Sequence, residues 1–169
     1  MGGFELLAVV VFFLIGYWVV DYFWPKKKTA APVIVRVTHR FDASPEQVFD
    51  AWLDPASAGK FLFATATGQM MRADTDPRVG GKFSFVDRRD GQDVSHSGEY
   101  LSIERPRRLA FSFSVDGSAP TRVAIVVVPV DSGCELTLTH ELDPKWAEDA
   151  GRTEAGWIGI LDGLAKVLG

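Results

Sequence analysis

Along this 169-residue chain the apolar positions change their rhythm three times. From Leu6 to Val20 no charge interrupts them, and the apolar run continues past Asp21 to Trp24. Nineteen helical residues from Leu6 to Trp24 would reach about 28 Å, close to the hydrocarbon thickness of a bilayer. From Val33 to Phe41 the pattern becomes strict alternation, with Val33, Val35, Val37, His39 and Phe41 on one face of a half-buried strand. "SPEQVFDAW" then supplies a helix start. Ser44 is the N-cap, Pro45 takes the first helical position, Gln47 completes a capping box, and Val48, Phe49, Trp52 and Leu53 make the apolar face. Asp54-Pro55 ends that helix and opens a short second one through "ASAGKFL". Alternation returns in six segments at hairpin spacing, near 69–74, 82–87, 93–103, 108–115, 121–130 and 134–142, parted by turns such as "RRDG", "DGSAP" and "DSG". After Pro144 a helical period takes over, with Trp157, Leu161, Leu164 and Leu168 at steps of four, three and four. Strand, two helices, six strands and a long helix predict an α+β domain whose antiparallel sheet wraps its apolar face around the last helix.

The N-terminal segment reads as a permanent anchor. A secretory signal wants a basic n-region and a small-residue cleavage site, whereas "MGGFE" carries an acid and no base, and "WPKKKTAAP" offers no such site directly behind the core. Trp18, Tyr22 and Trp24 suit headgroup level, and Asp21, one turn from the end, can reach interfacial water. Lys26, Lys27 and Lys28 follow the span and none precede it, so the positive-inside tendency puts the N-terminus outside and the C-terminal domain in the cytoplasm, at the inner membrane. The expected organisation is a transmembrane helix over 1–25, a short basic linker over 26–32, and one domain over 33–169. Pro25 to Pro32 can span at most about 28 Å, which holds that domain at the bilayer surface.

Composition narrows the function classes. The chain is 47% hydrophobic and 24% charged, the profile of a globular protein, and its net charge of −4 lacks the basic footprint of a nucleic-acid binder. Cys134 is the only cysteine, so neither an intrachain disulfide nor a multi-cysteine metal site can form. No His-x-x-His or Glu-x-x-His spacing suggests a metal, and no Ser-His-Asp pattern or P-loop suggests catalysis. No cofactor is implied.

The ordered set "FDASPEQVFDAWLDP", "RVGGKFSF", "SGEYLSIERPRRLAFSF", "ELTLTHEL" and "GWIGILDGLAKVL" resembles the SRPBCC, or START-like helix-grip, superfamily, in the branch named for activators of the heat-shock protein 90 ATPase. The resemblance covers nearly all of residues 33–169. It implies a seven-stranded antiparallel sheet gripping the C-terminal helix, with a hydrophobic cavity between them. Members of the superfamily carry lipids, hormones or pigments, cyclise polyketides, or bind protein partners. No catalytic residue carries over. Where relatives commonly have a tryptophan pair after the first helix, this chain has "GKFLF" from Gly59 to Phe63.

The candidate site residues follow from register. His39 and His140 occupy the apolar registers of their strands, as inward-facing polar groups whose plainest role is a hydrogen-bonded core or rim histidine. With Phe83, Phe85, Tyr100, Phe111, Phe113 and Trp157 they are the expected cavity lining, aromatic residues on an inward face being equally consistent with plain core. Gly156, Gly159 and Gly163 share a face of the last helix and point to close approach, by the sheet or by a ligand or second helix. Arg88 and Arg89 fall at the end of the sheet expected to carry the tether, where they could face anionic headgroups. These readings point to a non-catalytic, membrane-anchored domain. Its expected partners are the lipid bilayer and a hydrophobic small molecule (lipid, quinone or pigment) or a membrane protein. An accessory subunit of a larger membrane complex comes second and a cyclase- or hydrolase-like enzyme third.

Overall fold

The computed structural model describes residues 30–64 and 67–169. The expected span and its interfacial residues Trp18, Asp21, Tyr22, Trp24, Lys26, Lys27 and Lys28 lie outside the described residues. Among the described residues no helix is long and apolar enough to cross a membrane.

Seven strands form one antiparallel sheet in the order β1-β7-β6-β5-β4-β3-β2. They are β1 (Val33–Phe41), β2 (Gln69–Thr75), β3 (Lys82–Arg89), β4 (Gln92–Glu104), β5 (Arg108–Val115), β6 (Thr121–Val130) and β7 (Gly133–Leu142). Each lies within two residues of the bounds that alternation predicts. The crossover from β1 to the far edge of the sheet is made by two short helices, α1 (Pro45–Ala51) and α2 (Pro55–Phe61). A 3-10 turn (Pro144–Asp149) then leads into the long α3 (Ala150–Leu168).

Local chemistry explains the element ends. Ser44 Oγ accepts from the Gln47 backbone N–H at 3.2 Å while Gln47 Oε1 accepts from the Ser44 N–H at 3.0 Å, the reciprocal cap that starts α1. Asp54 does the same for α2 by accepting from the Ser57 N–H at 2.9 Å. Between β3 and β4, Asp90 and Gly91 both take positive φ, 49° and 78°, the geometry that lets a two-residue turn follow the twist of its strands.

The sheet curls around α3, which buries Trp157, Leu161 and Leu164 against it. One half of the enclosed space is filled with rings. Trp52 and Phe61 meet edge to face at 5.4 Å, Phe83 and Phe111 do so at 5.5 Å, and Phe83 lies 5.5 Å from Tyr100. The close approach expected at three helix glycines is confined to one. A Cβ at Gly163 would meet the Phe61 Cβ at 3.3 Å, whereas nothing lies within 4 Å of one at Gly156 or Gly159. The neighbour at Gly163 is α2, not the sheet. α2 is only seven residues long, and its Phe61 faces Gly163 in the C-terminal half of α3.

Candidate functional site

The fold opens beside the N-terminal half of α3. A cavity of about 550 Å³ lies between the N-terminal half of α3 and the ends of β4 to β7, walled by Phe63, His96, Phe113, His140 and Trp157. Strand register assembles it: Phe113 on β5 sits opposite Thr121 on β6, and His140 on β7 sits opposite Val123. Trp146, 49% exposed, and the buried Leu142 also line it. Val33, the first residue of β1, pairs with Leu142, one of the lining residues.

His140 is fixed by a directional chain of hydrogen bonds. The Trp157 indole N–H donates to Nδ1 at 3.0 Å. Nδ1 is thereby an acceptor, so the neutral ring carries its proton on Nε2 and donates to Thr121 Oγ1 at 2.7 Å. Thr121 Oγ1 in turn donates to the Phe113 carbonyl at 3.1 Å. Burial lowers the His140 pKa from 6.5 to about 4, in keeping with the neutral form this chain requires. Both ring nitrogens are committed within the fold, leaving His140 no free lone pair to offer a substrate.

His96 contrasts with it. The residue is only 5% exposed, and its Nδ1 is enclosed with no hydrogen-bond partner among the described residues. Burial, and then the nearby positive charge of Arg89, lower its pKa to about 4. Its ring is held by stacking instead: Phe63 lies parallel to it at 4.3 Å and also stacks on Phe113 at 5.0 Å. Phe63 reaches that position through a left-handed backbone, φ 61°, which is unfavourable for a residue with a side chain. Arg89 helps to hold it there, donating to the Phe63 carbonyl at 2.9 Å and to the buried Asp87 carboxylate at 2.7 Å.

The cavity takes in three of the eight residues expected to line it, Phe113, His140 and Trp157. Phe83, Phe85, Tyr100 and Phe111 are inward as expected but are packed into the filled half. There burial pushes the Tyr100 hydroxyl pKa upward. His39 lies outside the cavity: it sits on the edge strand β1, half-buried, with Nδ1 3.6 Å from Asp162 near the far end of α3. Gly156 borders the open space, Gly159 does not, and Gly163 packs on α2. Arg88 is bound twice by Asp93, at 2.6 and 3.0 Å. Arg89 is turned inward to Asp87 and Phe63. Cys134 is buried, and its thiol pKa is raised by that burial. Among the described residues no three His, Cys, Asp or Glu side chains gather to hold a metal.

Sequence reasoning passed over His96 and Phe63. For His96 a signal was present, since it lies four residues before Tyr100 in the same strand and so shares its inward face. For Phe63 there was none, because a positive φ at a phenylalanine follows no local rule.

The profile of the Activator of Hsp90 ATPase homolog 1-like proteins matches residues 42–169. The chain belongs to that family. Among solved structures, this AHSA1-like domain is similar to a protein of Chromobacterium violaceum. Identity is 25%, the TM-score is 0.70, and the match covers 80% of this chain and 96% of the other. A protein of Rhodobacter sphaeroides is similar at 25% identity with a TM-score of 0.72, over 82% of this chain and 93% of that one. CalU16 from Micromonospora echinospora shares the fold at 23% identity and a TM-score of 0.63, over 85% and 81% of the two chains. No curated protein matches the sequence significantly. The seven-stranded antiparallel sheet and C-terminal helix of this AHSA1-like domain are consistent with the helix grip of its neighbours.

Proposed function

We propose that this AHSA1-like domain is a binding module that carries one hydrophobic small molecule, and that residues 6–24 anchor it at the cytoplasmic face of a membrane. The observation that carries the reading is the division of the interior. One half is packed with rings, while the other keeps about 550 Å³ open behind aromatic walls, a volume suited to a small organic ligand. The Thr121–His140–Trp157 chain supports binding over turnover, because it consumes the one histidine whose partners could have oriented it for proton transfer. For the membrane, support comes from the apolar segment and its lysines.

Mild-detergent purification of the full chain from native membranes, followed by native mass spectrometry, tests this directly. The expected result is a stoichiometric small molecule on the wild-type protein and its loss from Gly156→Leu, which puts a side chain into open space without touching the packed half. A wild-type chain that carries nothing, or a Gly156→Leu variant that retains the full load, would overturn the reading.

A further inference from the structure

The cavity's polar groups discriminate among ligands. Its charged side chains have partners: Arg89 pairs with the buried Asp87 at 2.7 Å, and Arg152, 82% exposed, pairs with Asp149 at 2.7 Å at the solvent edge. Both wall histidines are neutral, burial being the main cause for each. An ionised ligand taken into the aromatic half of the cavity would therefore lose its hydration and find no free counter-charge, a loss that a pocket of this kind does not offset. Of the two histidines, His140 has no hydrogen-bonding capacity left. Of the lining hydroxyls, Thr121 is consumed in the same chain, while Ser118 is exposed and Thr153 only half-buried, both nearer solvent.

His96 is what remains at depth. Its enclosed Nδ1 has no donor facing it among the described residues. An unmet lone pair costs less than an unmet N–H in the same place, which puts the proton of the neutral ring on Nε2, at the ring's other edge. The sandwich with Phe63 fixes the plane of the imidazole and hence the direction in which that N–H points.

Resting on the proposed binding role, we infer that the ligand is an uncharged ring compound bearing an acceptor oxygen, a ketone or quinone carbonyl, which the His96 Nε2–H recognises. The shape of the wall agrees. Phe63, His96 and Phe113 lie within 14° of parallel, and Trp157 stands about 60° to Phe63 and Phe113, a corner of flat surfaces that favours a flat occupant over a flexible chain.

Three probes of nearly one shape separate the possibilities: 9-fluorenone with its carbonyl, fluorene without it, and 9-fluorenone-2-carboxylate with an added charge. Binding to the full chain in detergent is followed by quenching of tryptophan fluorescence and by calorimetry. Fluorenone is expected to bind about five- to tenfold more tightly than fluorene, the worth of one neutral hydrogen bond. The carboxylate is expected to bind at least tenfold more weakly than fluorenone. His96→Phe, which keeps a stacking ring, is expected to erase the preference for fluorenone over fluorene. Equal binding of fluorenone and fluorene to the wild type overturns the inference while leaving the cavity's binding role standing. A tighter-binding carboxylate, or a preference that survives His96→Phe, does the same. Failure of all three probes to bind overturns both.

Discussion

At the scale of single residues, the two buried histidines make stability depend on pH in a defined direction. Each has a folded-state pKa of about 4 against an ordinary 6.5, so each is neutral in the fold and gains a proton on unfolding. Their contribution is complete above about pH 6.5 and is lost as pH falls toward 4, each adding at most about 1.4 kcal/mol per pH unit to the slope. Urea unfolding between pH 7 and 4.5 should show His96→Phe losing less stability on acidification than the wild type. Parallel curves would mean that His96 is not held neutral. His140→Phe has a different expected cost. It strands the Trp157 N–H in the interior and should lower stability by about 1–3 kcal/mol at pH 7, where His96→Phe strands nothing.

Elements show where the sequence was legible and where it was not. The strands were, because each buries one face and alternation survives intact, as in Leu136, Leu138, His140 and Leu142 of β7. Helix starts were too, since Ser44, Pro45 and Gln47 form a cap from neighbours alone. Which inward residues meet open space was not legible. That depends on how the short helices and α3 pack across the sheet, a tertiary arrangement that strand alternation does not encode. So Phe83 and Phe113, both inward, end in different environments, one in packed core and the other on a cavity wall. The same geometry separates the helix glycines. Gly159→Ala should stabilise α3 by about 1 kcal/mol, read as a raised urea midpoint, since its methyl meets nothing. At Gly163 the same change must push against Phe61 at 3.3 Å and should gain less. In β4, the Gly98 backbone is approached by the Ser112 carbonyl and the Phe83 ring, leaving no room for a Cβ. Gly98→Ala should be the most damaging of the three, and a neutral result there would mean that the β4–β5 pair can spread.

For the whole molecule, the expected anchor makes a prediction independent of the cavity. The full chain should stay with membranes through alkaline carbonate washing. In sealed vesicles of known orientation, protease should reach residues 33–169 only from the cytoplasmic side. Release by carbonate would remove the membrane from the proposed function and leave the ligand question intact. The divided interior has a further consequence, for how such a domain can diversify. Phe83, Phe85, Tyr100 and Phe111 lie in the packed half, while Phe63, His96, Phe113 and Trp157 form the wall of the open half. The two sets touch: Phe63 and Trp157 belong to the buried core, and Phe63 meets Phe85 edge to face at 5.9 Å, so a substitution on the wall is felt in the packed half as well. Reshaping the cavity is therefore coupled to stability, and least so at Gly156, where an added Cβ would meet nothing within 4 Å.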